Sequence, residues 1–264
     1  MNKISVAIPT YFSSSFISPT IQLLKKYSNV AEIIINDDSQ NEEEYKKLNY
    51  TLNSLLENKN INLKISKNKK NLGAFKNKFV CIENASSDYV YQIDSDNIPS
   101  KNTLNYLLNL NLKSFDKSVL HIPSKIYLFK QYKYEYLLKP NNLVLFSIKT
   151  KVLDLEKVNS ILENNKRFVI SRNINWLLNT GNPFFYRDTY LNSLEKALTS
   201  NREIYAGDAI AMVYHVLENG HKISVSKFLS HFHKIRDKSN FVTHGDTAMT
   251  TVSIFKDKLK KNLN

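Results

Sequence analysis

Apolar and polar positions fall into two regimes along the chain. Through the first hundred residues, short continuous apolar runs alternate with stretches of helical spacing. "KISVAIPTYF" is a β-branched run, the pattern of a strand buried on both faces. "SPTIQLLKKYS" then places Ile21, Leu23, Leu24 and Tyr27 near helical spacing, with Ser18-Pro19 as a helix start. "VAEIIINDDS" predicts a second buried strand that ends in acids. "NEEEYKKLNYTLNSLLE" stripes Tyr45, Leu48, Leu52 and Leu55 along one helical face. "INLKIS" predicts a third strand, "NLGAFKNKFVCIENA" a helix after Gly73, and "YVYQI" a fourth strand. Strands alternating with helices in this way predict an α/β fold with a mostly parallel, Rossmann-like central sheet flanked by helices.

From about residue 103 the texture changes. "VLHIPSKIYLF" and "YEYLLKPNNLVLFSI" read as strands or mixed structure, and "LDLEKVNSILENNK" as a helix. "NTGNPFFYRDTYLNSLEKALTS" predicts a loop, a short strand and a helix. "IYAGDAIAMVYHVLENG" predicts a strong helix with Asp208 at its start and Gly220 at its end. "KISVSKFLSHFHKI" reads as one or two strands. The tail aligns Val252, Phe255, Leu259 and Leu263 on one face among lysines, which suits packing on the protein or on an anionic membrane surface.

Composition narrows the class. With 264 residues and 42% hydrophobic positions the chain can bury a sizeable core. Five glycines and six prolines leave little room for long linkers, in one large domain or two small ones. A lone Cys81 on an apolar helix face excludes an internal disulfide and fits inert core in a reducing cytoplasm. The N-terminal apolar run is too short for a signal peptide or a span. The net charge of +13 reads either as a solvated lysine-rich surface or as attraction to anionic partners. Nucleic acid is disfavoured, because neither zinc-finger spacing nor an aromatic RNA-binding signature is present.

The chemistry gathers at strand ends. In parallel α/β sheets, ligands bind at the carboxyl ends of the strands. Those ends here are Pro9-Thr10-Tyr11, Asp37-Asp38-Ser39 and Asp94-Ser95-Asp96. On extended backbone Asp94 and Asp96 point to the same side, where two carboxylates repel unless a cation lies near them. Hard oxygen donors in that number suit Mg²⁺ or Mn²⁺ that also takes diphosphate oxygens and water. The bland alternative is that Asp96 or Ser100 merely caps a helix beginning near Lys101.

These stretches together resemble glycosyltransferase family 2 enzymes of the GT-A fold. "SVAIPTYF", "EIIINDDSQ" and "NLGAFKNKFVCIENASSDYVYQIDSD" match that family's first strand, its Asp-Asp strand end, and its Asn-x-Gly helix leading to Asp-x-Asp. The resemblance implies a single domain over 1–264, with a nucleotide-sugar-binding half at 1–102, an acceptor and catalytic half at 103–250 and a basic tail at 251–264. It implies that Pro9, Thr10 and Tyr11 line the nucleotide pocket and that Asp38 accepts from the base. Lys78 would lie near the nucleotide, where Asn77-Lys78-Phe79 replaces the family's usual Ala-Arg-Asn. Asp94, Ser95 and Asp96 would meet the donor, with Asp94 and Asp96 on the metal and His231 or His233 as a further ligand. Asp208 matches the family's catalytic base, with Gly207 where another acid often stands. Trp176 and Asn182 fall in the acceptor-side segment.

The implied activity is inverting, metal-dependent transfer of a sugar from a nucleotide diphosphate donor, a UDP-sugar foremost. The acceptor would be a glycan or lipid-linked glycan in bacterial surface polysaccharide or lipooligosaccharide synthesis. Peripheral contact with the inner face of the cytoplasmic membrane would fit the basic tail. Two alternatives differ in class. A nucleotidyltransferase would carry a glycine-rich basic loop after the first strand, and "PTYFSSSF" has neither glycine nor base. A non-catalytic nucleotide-sugar binder would not need Asp94, Asp96 and Asp208 together.

Overall fold

Continuous apolar runs become the centre of one mixed sheet in the computed structural model, which describes residues 3–57, 61–129, 143–145, 149–164, 181–199, 208–234, 253–255 and 257–258. Strands β1 (Ile4–Thr10), β2 (Val30–Asp37), β3 (Asn62–Lys67) and β4 (Tyr89–Gln92) are joined by helices α1 (Ser18–Leu24), α2 (Glu42–Leu56) and α3 (Gly73–Glu83). Next come β5 (Asn97–Pro99), α4 (Lys101–Asn109), a 3₁₀ turn at Leu112–Ser114, β6 (Val119–Phe129), β7 (Leu143–Leu145) and β8 (Lys151–Leu153). Helix α5 (Leu155–Asn164), β9 (Phe184–Tyr186), α6 (Arg187–Thr199), α7 (Asp208–Glu218) and β10 (Lys222–Lys234) complete the order.

The sheet runs β3-β2-β1-β4-β9-β6-β10-β5, with β7 on β6 and β8 on β10. Pairing is parallel from β3 through β4. It turns antiparallel where β9 enters between β4 and β6, and parallel again between β6 and β10. Residues therefore alternate between two cores. Ala7, Ile34 and Val90 face a layer containing Phe75, Tyr190 and Met212 of α3, α6 and α7. Val6, Ile8, Ile33, Ile35 and Tyr91 face Ile21, Leu48 and Leu104 of α1, α2 and α4. Each such side chain contributes roughly 1.5–3 kcal/mol by leaving water. Cys81 belongs to the first layer, and burial pushes its thiol up to about 12, so it is inert core as expected. The tail also turns inward where it is described: Phe255 is buried against Tyr214 and His215 of α7.

Two local features matter for the site. Ser100 caps α4, its Oγ accepting the Thr103 N–H at 3.1 Å and lying 2.7 Å from the Ser230 Oγ. Ser100→Ala should therefore remove about 1–2 kcal/mol and lower the melting temperature by roughly 2–8 °C. A thermal melt equal to the parent's would show that another group caps this helix. The second feature is a bulge in β10. Ser226 pairs with Pro123 and Ser230 with Lys125, so β10 uses four steps where β6 uses two. Lys227 and Phe228 occupy the extra length, and both are exposed.

Candidate active site

The three predicted strand ends do converge. The tips of β1, β2 and β4 lie side by side because the parallel register aligns Thr10 with Asp37 and Ala7 with both Ile34 and Gln92. Pro9 and Thr10 are the last residues of β1, and the Thr10 hydroxyl donates to the Asp37 carboxylate at 3.3 Å. Tyr11 follows half-exposed, edge-on to Phe12 at 4.9 Å. Phe12 adopts φ 50, a left-handed conformation that is rare for so bulky a residue. The turn is pinned on both sides: the Ser13 Oγ lies 2.7 Å from the Ser95 Oγ, and the Ser14 N–H donates to Glu44 at 2.7 Å.

Asp38 is engaged by its own chain. Its carboxylate accepts the Leu72 N–H at 2.8 Å, the Gly73 N–H at 2.9 Å and the Asn68 side-chain amide at 2.9 Å. It thus anchors the start of α3. Burial nevertheless raises its pKa, against those donors. Asn77, in the departure from Ala-Arg-Asn, joins the same network. It accepts from Asn36 at 2.7 Å and donates to the Thr10 carbonyl at 3.2 Å.

The centre of the site is Lys78. One turn into α3, its side chain is only 7% exposed, and its ammonium lies 2.8 Å from Asp94 Oδ1 and 2.5 Å from Asp208 Oδ2. Both contacts are ion pairs within hydrogen-bond distance, so the two carboxylates share one ammonium. Burial works to lower the lysine's pKa, but the charges of Asp208 and Asp94 outweigh it, and the pKa is raised. Asp94 shows the converse: burial would raise its pKa, and Lys78 holds it below the usual carboxylate value. Asp208 is the first residue of α7, where a negative charge suits the helix dipole.

Gly181 and Asn182 brace Asp94 from behind. The Asp94 N–H donates to Asn182 Oδ1 at 2.7 Å, and Asn182 is fully buried at φ 51. Gly181 has φ +60, and a Cβ there would stand 3.2 Å from Asp94 Oδ2, so only glycine leaves that oxygen its space. Asn182, expected on the acceptor side, thus sits behind the Asp-x-Asp segment. Ser95 and Asp96 are buried beside it. Trp176 and Gly207 lie outside the described residues.

The two histidines reach the site from β10, which pairs with β5 just after the acids. His233 Nδ1 lies 2.7 Å from Asn97 Oδ1. His231 is buried, its Nδ1 has no partner among the described residues, and burial with the nearby His233 depresses its pKa to about 3. Its ring is therefore neutral at physiological pH. Among the described residues no three His, Cys, Asp or Glu side chains converge into a metal cage. Carboxylates are hard oxygen donors, the type that Mg²⁺ or Mn²⁺ takes one or two at a time. A groove lined by Tyr50, Asn53, Leu56, Ile61 and Leu63 lies at the β3 edge, two strands from β1, and gathers none of these residues.

The Lys78–Asp208 contact was not legible in sequence, since it joins α3 to a helix 130 positions later. Its one signal is a lysine beside Asn77 on the inward stripe of α3, among Phe75, Cys81 and Ile82.

Comparison with known proteins bears on the family and the fold. Residues 5–176 match the family described as glycosyl transferase family 2. No curated protein matches the chain in sequence. Among solved structures, S. aureus TarS 1–349 in complex with UDP-GlcNAc has 17% identity and a TM-score of 0.61, covering 98% of this chain and 70% of that one. TarS 1–349 in complex with UDP has 17% identity and a TM-score of 0.56, covering 98% and 69%. A longer TarS structure gives 17% identity and a TM-score of 0.55, covering 96% of this chain and 39% of that one. The fold is thus shared with these structures.

Proposed function

The chain belongs to glycosyl transferase family 2 and is a glycosyltransferase; from that premise we propose that it moves a sugar from a UDP-sugar to a glycan or lipid-linked glycan with inversion at the anomeric carbon. The observation that carries the reading is the juxtaposition of Asp94 and Asp208 on one buried ammonium. It brings the Asp-x-Asp strand end and the start of α7 to a single point. The UDP and UDP-GlcNAc in the TarS structures support the choice of donor.

In this reading Asp208 takes the proton from the acceptor hydroxyl. The hydroxyl oxygen bonds to the anomeric carbon while the bond to the diphosphate breaks. Lys78 holds the Asp208 carboxylate in place before the acceptor arrives. Asn182 and Gly181 fix Asp94. The Tyr11–Phe12 pair, exposed at the tip of β1, offers an aromatic face to the base. Asp94 and Asp96 would hold Mn²⁺ or Mg²⁺, which neutralises the departing diphosphate when bound. Surface polysaccharide or lipooligosaccharide synthesis suits such a donor and acceptor. Among the described residues no helix is long and apolar enough to cross a membrane.

Calorimetric titration of UDP and the other common nucleoside diphosphates tests the donor side. Binding should be much weaker with chelator than with Mn²⁺, and Asp96→Ala should remove that difference. A diphosphate that binds equally well in both conditions would eliminate the metal from the reading.

A further inference from the structure

The β10 bulge and the short β8 strand together build a surface that the transfer reaction does not use. At the bulge Phe228 turns outward, 43% exposed, and stacks on Tyr106 of α4 with ring centroids 4.8 Å apart and planes 12° from parallel. Leaving such a ring in water forgoes part of the roughly 1.5–3 kcal/mol that burial would give. Val152 of β8 is 48% exposed and lies opposite Ser224 of β10. The Lys227 N–H donates to Thr150 Oγ1 at 3.3 Å, which brings residues 149–152 against the bulge. The Tyr106–Phe228 stack and Val152 thus lie on adjoining segments, joined through Thr150 at the bulge.

Charge completes the pattern. Lys149, Lys151 and Lys227 are all exposed in these two segments, and the Lys227 ammonium lies 4.8 Å from the Phe228 ring centroid. Neither 149–153 nor 226–229 contains an acid, and the next carboxylate, Asp154, is paired with Lys157 at 2.9 Å. A single exposed apolar residue is ordinary. An aromatic stack and a valine ringed by lysines, on a chain of net charge +13, instead complement a surface that is apolar below and anionic above.

We propose that this β8–β10 face docks on an anionic phospholipid bilayer, with Phe228 and Val152 entering the interface and Lys149, Lys151 and Lys227 meeting the headgroups. The face is separate from Phe255 of the tail, which is buried against α7. It is close to the site: His231 follows Phe228 by three residues on the same strand. Docking there would bring a lipid-borne acceptor toward the carboxylates. The docking itself requires neither the donor nor the metal of the preceding section, so its test is independent of them.

Co-sedimentation of the full chain with phosphatidylcholine vesicles, with and without phosphatidylglycerol, reads the interaction. Binding should need the anionic lipid and weaken at high salt. Lys151→Gln with Lys227→Gln should lower partitioning by roughly 25-fold at low salt. Phe228→Ser with Val152→Ser should weaken it separately, and Lys258→Gln should leave it unchanged. Thermal melts establish that each variant is folded. The proposal is overturned by folded versions of both double variants that sediment as the parent does. Equal binding to neutral vesicles overturns it too. So does a vesicle-free dimer that the Phe228 change dissolves, since the face would then be a contact between copies.

Discussion

Lys78→Met should lower the melting temperature by roughly 6–15 °C at neutral pH, from about 3–5 kcal/mol for breaking a buried ion pair on one side. Methionine fills the same space, so packing is preserved while Asp94 and Asp208 lose their shared cation. The sign of the pH dependence follows. In the parent, burial would raise the Asp94 pKa, but Lys78 brings it below its unfolded value of 3.8. The stability this contributes is fully present above 3.8 and is lost as pH falls through the lower folded value. In the variant, burial lifts the Asp94 carboxyl above its unfolded value, because no cation offsets it. Its folded state then binds protons more readily than its unfolded state, so the deficit is greatest above neutral pH and shrinks as pH falls. Melts of both proteins in mildly acidic and mildly alkaline buffer check this. A deficit of the same size in both would mean that the lysine contributes packing and little charge.

Asp208→Asn should leave the fold intact and reduce turnover by about 10²–10⁴-fold. Asparagine has the same shape and suits a helix start, and Lys78 keeps Asp94 as its partner. Donor affinity in the presence of metal should stay within a few-fold of the parent, because a base acts on the acceptor in the transition state. NMR of the parent's product should show the anomeric configuration opposite to the donor's. A folded Asn variant with parental turnover would reduce Asp208 to a helix-start acid and send the search for the base elsewhere in the second half.

Strands β1, β2 and β4 could be read in the sequence because they are buried on both faces, and a run such as "AEIIIND" has no helical competitor of that length. Their polar ends were legible for the same reason: the run stops where the sheet stops. Strand β5 was not legible. Asn97–Pro99 is three residues long, and its pairing partner lies on β10. Asp38 was visible as an acid at a strand end, but its anchoring of Leu72 and Gly73 depends on a loop that returns from β3. The Asn182 contact with the Asp94 N–H is likewise 88 positions long. The exposed Phe228 escaped notice because alternation along β10 predicts one face per residue, and the bulge breaks that count.

The position of β9 between β4 and β6 has a consequence for how the chain acquires its structure. Strands β1 to β4 can pair with one another as soon as they leave the ribosome. The free edge of β4, however, waits for Phe184–Tyr186, about 90 residues later, or roughly 5–20 s of synthesis. Asn97 waits longer still for His233, 136 positions on. During that interval the nascent half-sheet presents an unpaired, apolar strand edge of the kind that invites aggregation. Residues 1–102 expressed alone would keep that edge permanently open. Their solubility should improve when a peptide carrying the β9 sequence "PFFYR" is supplied.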